Sequence, residues 1–293
     1  MMPIPLRSPL SLSELASELG GELDADLLER SVTHVATPKA ARESSHLALL
    51  ASTRHLEAGA GGHACLLVSP ALAGRLAKER RWVHPYPWWA FAGLLERAAP
   101  AWAERASADI APTAHVAPSA IVHPGAVIGA RCRVADHAVI HGGVVLGDGV
   151  VVAAGAVIGS PGFGFAHGPA QAIRRIPQLG GVSVGDQVEI GPLSTIDAGT
   201  LEPTVIGAYT KLDAQVHIGH NVIVGARCLM AAQVGIAGSV RIGDSVWIGG
   251  QAGVSDHVRI GDGARIAAKS GVISDIAPGA TVAGFPEIGR AHV

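Results

Sequence analysis

The chain has 293 residues and a formal net charge of −2 at pH 7, with 22 basic and 24 acidic side chains. A nearly neutral chain lacks the basic surface that nucleic-acid binding requires. No run of 18 apolar residues is present, and the first ten residues lack the apolar core of a secretory signal. The three cysteines are too widely spaced for a disulfide framework or a zinc cluster. We therefore expect a cytoplasmic protein that neither spans a membrane nor binds a metal.

The composition changes near residue 105. Four of the five tryptophans precede this point, whereas most of the glycines follow residue 110. A shift of this kind predicts a domain boundary, which gives one domain over residues 1–105 and a second over residues 106–293, joined by a linker at residues 106–111.

The first domain has the pattern of a small α/β fold. Ser11 and Glu14 form a capping-box sequence, which predicts a helix that Gly20 ends. Short apolar runs then predict buried strands at residues 47–51 and 64–69, and two further helices are predicted at residues 72–80 and 88–97.

The second domain carries an internal repeat. An aliphatic residue recurs at every sixth position from Ile110 to Ile158, from Val184 to Ile196, and from Ile206 to Val272. Neither a helix nor a flat strand has this period, so each hexad must contain one short strand and one turn. Three hexads would close a triangular coil, with the aliphatic side chain pointing inward and about eight coils stacked at strand spacing of about 4.8 Å. The repeat therefore predicts a mainly β protein with a parallel β-helix.

Two segments interrupt the repeat, at residues 160–181 and 199–205. Long loops that leave a rigid scaffold frequently carry binding or catalytic residues. We expect function at these two interruptions.

Seven motifs recur at fixed spacing over about 100 residues, namely Ile158–Phe165, Arg175–Gly180, Val188–Gly191, Thr195–Asp197, Lys211–Asp213, Ile218–Val222 and Ala237–Ser239. In order and spacing these motifs resemble the UDP-3-O-acylglucosamine N-acyltransferases of lipid A biosynthesis, a family of left-handed β-helix acyltransferases. The length of the match makes the resemblance more specific than hexads alone.

The resemblance implies a left-handed helix, and an N-terminal domain that binds uridine. It further implies transfer of a (3-hydroxy)acyl chain from acyl carrier protein to the 2-amino group of a UDP-3-O-acyl-glucosamine. The donor would be the acyl-phosphopantetheine of that carrier, and no other cofactor is expected. Because the site of such a prism lies outside the coil, a second surface is needed to complete a pocket, so we expect a homotrimer with sites between subunits.

His220 is the predicted catalytic base, and Gly238 the predicted oxyanion donor. His220 lies two residues after the hexad position Ile218, so it points away from the core, and a neutral imidazole is available near pH 7. It matches the catalytic histidine of the family; from the residues alone, a surface histidine is the alternative, because the chain has 14. Gly238 follows one full coil later and can present its backbone N–H without a side chain.

Five further residues are predicted to bind substrate. His257 lies nearly on the face of His220 two coils later, and matches a second histidine of the family. Phe163 and Phe165 project from the first interruption, His55 stands near the expected uridine site, and Asp213 could orient an imidazole.

Three other functions stay open. One is a sugar N-acetyltransferase that uses acetyl-CoA, which a short, blocked groove would favour. Another is a β-helix carbonic anhydrase, for which His217 and His220 would supply zinc ligands. The third is a non-catalytic paralogue that only binds a nucleotide sugar, because Leu49 stands where the family has a uridine-stacking aromatic.

Overall fold

A computed structural model describes residues 3–53 and 62–286 and the backbone of residues 288–289. The chain divides into two compact units. The first comprises Met1–Ala101 together with Gly164–Pro177, and the second comprises Trp102–Phe163 together with Gln178–Val293. This division differs from the predicted ranges of 1–105 and 106–293, chiefly because the first interruption of the repeat contributes to the first unit.

The first unit contains one mixed sheet of six strands, in the order β1-β3-β4-β5-β6-β2. The strands from β3 to β6 run parallel, whereas β1 and β2 pair antiparallel at the two edges. The strand bounds are β1 Ile4–Ser11, β2 Glu22–Leu23, β3 Ser31–Ala36, β4 His46–Leu50, β5 Cys65–Val68 and β6 Arg81–Val83.

Helix α1 spans Leu12–Leu19, α2 spans Pro70–Ala73, and α3 spans Pro87–Leu95. The predicted capping box of α1 is confirmed, since Ser11 Oγ accepts from the Glu14 N–H at 3.1 Å and Glu14 Oε2 accepts from the Ser11 N–H at 3.1 Å. The predicted helix at residues 72–80 was wrong. Gly74 ends α2 after one turn, and only a short 3₁₀ turn follows at Lys78–Arg80, because glycine is a poor helix former.

The first interruption of the repeat folds into a two-stranded antiparallel hairpin, formed by Phe165–His167 and Ile173–Arg175. Within the first unit, the Arg174 guanidinium lies 4.1 Å from the ring centre of Trp89 and donates to the Trp89 carbonyl at 3.1 Å. The hairpin is therefore anchored by a cation–π contact and a hydrogen bond to α3.

The second unit is a three-sided parallel β-helix. Its first strand begins at Asp109, inside the segment that was predicted to be a linker. We number its three faces in chain order. The first face contains Asp109–Ile110, Val127–Ile128, Val144–Leu146, Val182–Val184, Thr204–Ile206, Ile223–Val224, Arg241–Ile242 and Arg259–Ile260. The second face contains His115–Val116, Arg133–Val134, Val151–Val152, Glu189–Ile190, Lys211–Leu212, Leu229–Met230, Trp247–Ile248, Arg265–Ile266, Thr281–Ala283 and the antiparallel Ile288–Gly289. The third face contains Ile121–Val122, Val139–Ile140, Val157–Pro161, Thr195–Ala198, His217–Ile218, Gly235–Ile236, Gly253–Val254 and Gly271–Val272.

The hexad aliphatic is the second residue of each two-residue strand, and from Ile128 onward it is buried in one continuous core. Each such side chain stabilises the coil by about 1.5–3 kcal/mol relative to exposure. The first residue of each pair points outward, so residues 18 apart in an uninterrupted stretch lie one above the other, as His217 lies against Gly235. The predicted number of about eight coils agrees with eight described strands on the first and third faces.

The three cysteines are buried and free within the described chain. Burial raises the pKa of the Cys65 thiol to about 12, so this thiol stays protonated at neutral pH.

Across residues 3–53 and 62–286, no helix has the length and apolarity needed to cross a membrane.

Candidate active site

A groove of about 710 Å³ lies along the third face and the corner that leads from it to the first face. The coil period stacks the corner residues of successive coils, so side chains that are far apart in sequence meet here. Four of the predicted site residues line this groove together, namely Phe163, His220, Gly238 and His257.

The imidazole of His220 lies between two glycines. A Cβ placed on Gly238 would lie 2.8 Å from His220 Nε2, and a Cβ placed on Gly162 would lie 2.7 Å from His220 Cβ. Both distances are shorter than any normal contact, so a side chain at either glycine would require His220 to move. The two glycines therefore fix the position of the ring.

Asn221 fixes the tautomer of His220. The Thr200 N–H, which can only donate, bonds to Asn221 Oδ1 at 3.2 Å, and this identifies that atom as the carbonyl oxygen of the amide. His220 Nδ1 lies 3.1 Å from the same oxygen, so Nδ1 carries the proton and donates it. In the neutral form of this tautomer, the lone pair of the ring is on Nε2, on the side of Gly238.

The second interruption of the repeat builds the surroundings of Asn221. Asn221 occupies the left-handed region with φ of 60°, which asparagine tolerates well, and its N–H donates to Thr204 Oγ1 at 3.0 Å. Its amide N–H₂ reaches the Glu202 carbonyl at 3.5 Å. The extra residues at 199–205 therefore fix the position of Asn221, and Asn221 in turn bonds to His220.

Gly238 has the features of an oxyanion donor. Its carbonyl accepts from the His257 N–H at 3.2 Å, whereas its own N–H donates to no group in the described part of the chain. A free backbone N–H beside the base can stabilise a negative oxygen, and such a donor is worth about 10²–10³ in rate.

His257 and Phe163 border the same groove. His257 Nε2 lies 4.0 Å from Asp256 Oδ2, and its side chain is 67% exposed. Phe163 is 86% exposed, so its ring lies outside the core. Both residues line the groove in which a ligand would lie.

Asp213 does not line this groove. Asp213 caps its own turn by accepting from the Ala214 N–H at 2.7 Å, and it lies beside the second face. It cannot orient His220, because seven residues along the coil lead to a different side of the prism. Phe165 belongs to the first unit, where the Arg175 guanidinium lies 4.5 Å from its ring centre. His55 lies outside the described residues, and Leu49 is buried in β4.

Three polar residues near His220, of which Asp197 and His217 line the groove, were not among the predicted catalytic or substrate-binding residues. Asp197 is 7% exposed, and its Oδ1 accepts from Ser160 Oγ at 2.9 Å. His217 Nδ1 lies 2.8 Å from Thr195 Oγ1, and its Nε2 lies 3.9 Å from Asp197 Oδ2. The third is Asn221. Asp197 and Asn221 were visible in the motifs that carry the resemblance, but a polar residue in a repeat gives no sign of its partner.

Glycines form the floor of the groove. Gly235, Gly253 and Gly271 are in register on the third face, and neither of the first two has a neighbour within 4 Å of its Cβ position in the described chain. The ring of Phe285 lies directly over Gly271, so it closes the floor two coils below Gly235. The floor is flat and open for about 10 Å, two steps of strand spacing.

Among the described residues, no three histidine, cysteine or carboxylate side chains are grouped closely enough to hold a metal ion. His217 and His220 share the groove, but each ring has its Nδ1 engaged by a different partner.

The chain matches the model of the bacterial transferase hexapeptide (six repeats) at residues 125–160, 203–238 and 239–274. All three matched stretches lie in the second unit. A segment of 66 residues is 61% identical to the UDP-3-O-acylglucosamine N-acyltransferase of Chromohalobacter salexigens, and covers 22% of this chain and 19% of that protein. A segment of 70 residues is 53% identical to the enzyme of the same name from Bordetella parapertussis, with coverage of 23% and 19%. The matched segment thus spans about a fifth of the length of these curated relatives, and over it the predicted resemblance is confirmed.

The chain is also similar to a solved structure, the UDP-N-acetylglucosamine acyltransferase of Francisella novicida. The TM-score is 0.58 with 26% identity, over 63% of this chain and 66% of that chain. Together with the hexapeptide match, this similarity confirms the predicted mainly β fold with a left-handed parallel β-helix.

Proposed function

We propose that this protein is an N-acyltransferase that moves an acyl chain from acyl carrier protein to the 2-amino group of a UDP-3-O-acyl-glucosamine. The observation that carries the proposal is the His220 site, in which two glycines and Asn221 hold the ring with its Nε2 beside the free N–H of Gly238. The names of the relatives matched over 66 and 70 residues support the choice of acceptor and of a reaction in lipid A biosynthesis.

The reaction follows from these two groups. The acceptor nitrogen attacks the thioester carbon, and the negative oxygen of the tetrahedral intermediate accepts a hydrogen bond from the Gly238 N–H. His220 Nε2 removes a proton from the nitrogen while the carbon–nitrogen bond forms. Collapse of the intermediate breaks the carbon–sulfur bond, and protonated His220 donates its proton to the phosphopantetheine thiolate.

The glycine floor suits the acyl chain of the donor. Gly235 and Gly253 carry no side chains, so they leave room for a hydrocarbon chain along the third face. Removing part of that chain from water stabilises its binding. The ring of Phe285 limits the length of this path. An open path of two coils favours an acyl chain over the single methyl group of an acetyl donor.

A homotrimer with sites between subunits would complete this groove. The second face supports such an interface, because it exposes apolar side chains that a monomer would leave in water: Trp247 is 52% exposed and Leu229 is 37% exposed. The mass in solution, measured by light scattering, tests this assembly, and a monomer at assay concentration would contradict it.

The decisive experiment is an assay of the purified protein with UDP-3-O-acyl-glucosamine and a panel of acyl carrier protein thioesters, with acetyl-CoA as an alternative donor. We expect amide formation from the carrier thioesters. Transfer from acetyl-CoA alone would replace the proposal with a sugar N-acetyltransferase. Retained nucleotide-sugar binding without transfer from any donor would indicate a non-catalytic paralogue. Stoichiometric zinc in the purified protein would favour the carbonic anhydrase alternative.

A further inference from the structure

Asp197 and His217 form an acid–imidazole pair that lies in the same groove as His220. The Asp197 side chain is 10% exposed. Its Oδ1 accepts from Ser160, whereas its Oδ2 accepts no hydrogen bond from the described chain and faces His217 Nε2 across 3.9 Å. That distance is too long for a hydrogen bond but short enough for an ion pair. A largely buried carboxylate with one open oxygen needs a donor from a ligand.

The fold places this pair beside the base. His217 pairs in register with Thr195, and Thr195 Oγ1 lies 2.8 Å from His217 Nδ1. A shift in register after Ile158 brings Ser160 opposite Asp197. Asp197 then lies one coil above Gly219, the residue that precedes His220, and both imidazoles line the same groove.

Amine acylation has a requirement that a single base does not meet. A primary aliphatic amine at neutral pH is mostly ammonium, which has no lone pair and cannot attack a thioester. One proton must leave before attack, and a second must leave as the carbon–nitrogen bond forms. In the proposed reaction His220 accepts the second proton and passes it to the departing thiolate, so the first proton needs another acceptor.

We propose that Asp197 binds the acceptor as its ammonium ion and that His217 accepts the first proton; this inference rests on the proposed function. Asp197 Oδ2 accepts a hydrogen bond from the ammonium group. His217 donates its Nδ1–H to Thr195 Oγ1, so its Nε2 takes one proton from the nitrogen and leaves the neutral amine to attack. The imidazolium of His217 is then paired with Asp197 and releases its proton to water when the product leaves.

The other titratable groups of the groove are His220, Asp256 and His257. His220 Nδ1 is engaged by Asn221, and Asp256 and His257 lie two coils below His220, where they face one another at 4.0 Å. The other neighbours in contact with Asp197 and His217, Ser160 and Thr195, are uncharged. Asp197 is thus the carboxylate closest to His217, and the pair forms a local unit.

The test is the pH profile of kcat/KM for the acceptor in wild type and in His217→Gln. Wild type binds the abundant ammonium form, so its kcat/KM stays level below the pKa of the substrate amine over the pH range in which both imidazoles can accept a proton. His217→Gln must use the scarce neutral amine, so its kcat/KM falls about tenfold for each pH unit below that pKa. Above it, the two proteins agree within about twofold. Asp197→Asn should lose the level region in the same way.

Thr195→Val removes the partner of His217 Nδ1 and should shift the profile in the same direction, to a smaller extent. His115→Gln is the matched control, because His115 is an exposed histidine on the second face, outside the groove, and its profile should superimpose on that of wild type. A His217→Gln profile with the wild-type shape, merely scaled, would overturn the inference and leave the proposed function standing. A wild-type protein that transfers no acyl group from any thioester would refute both.

Discussion

Gly238→Ala tests whether the position of the His220 ring, rather than the mere presence of a histidine, determines the rate. The added methyl would lie 2.8 Å from His220 Nε2 and 2.9 Å from Cε1, whereas a relaxed contact is about 3.5–4.0 Å. The ring must therefore move by about 0.7 Å or more, which strains its 3.1 Å bond to Asn221. A misplacement near 1 Å costs about 10²-fold in rate, or about 2.7 kcal/mol.

The assay is steady-state kcat with a fixed acyl donor, together with the melting temperature to show that the fold survives. Gly238→Ala keeps the backbone N–H, so the oxyanion donor is retained and only the base is displaced. Gly74→Ala is the control: it adds the same methyl outside the groove, at a position where nothing described lies within 4 Å. A kcat for Gly238→Ala within about threefold of wild type would refute the argument. An equal loss in Gly74→Ala would show that the His220 ring is not responsible.

His220→Ala should keep the melting temperature and lose at least about 10²-fold in kcat, as measured by product formation. Asn221→Gly keeps the left-handed backbone but frees the tautomer, so kcat should fall roughly tenfold to a hundredfold; wild-type turnover would remove the asparagine from the argument. Phe285→Ala should raise the relative kcat/KM of the longest acyl chains roughly tenfold, because the groove no longer ends at this ring, and an unchanged chain-length profile in a donor panel would contradict that. Burial, with a smaller effect from the stacked His123, lowers the pKa of His141. The contribution of His141 to stability is therefore present above the unfolded pKa and is lost as the pH falls. Between about pH 7.5 and about pH 5.5, the urea midpoint of His141→Gln should thus fall less than that of wild type. Equal falls would show that His141 does not contribute to the pH dependence of stability.

The six-residue period was sufficient to predict the β-helix, because a closed coil leaves few ways to bury one aliphatic residue in six. It was also sufficient to place Gly238 over His220, since residues 18 apart in an uninterrupted stretch share a corner. The same arithmetic brought His257 to the groove, two coils and one residue after the base. The period thus predicts which residues lie close together wherever the repeat is uninterrupted.

Within the two interruptions, the repeat no longer predicts which residues lie close together. The first became a hairpin of the other unit, so Phe163 and Phe165, two residues apart, belong to different units. The second surrounds Asn221 with Thr200 and Thr204, and no spacing rule relates these residues to the repeat. The prediction for Asp213 failed for a different reason. Asp213 precedes His220 by seven residues, which is one hexad plus one residue, so it lies at the preceding corner of the prism.

The chemistry lies at a corner of the prism, and the geometry of the coil explains why. Face positions alternate between a side chain in the core and one that projects from a flat sheet, so a face gives neither shelter nor convergence. At the corner, the chain turns through a left-handed residue, as at Asn221 and His257, with φ of 60° and 59°. His220 and Gly238, each the residue before such a turn, stack there one coil apart. An insertion at that corner adds polar partners without disturbing the core, which is how residues 199–205 turn a structural repeat into a site that can hold a base.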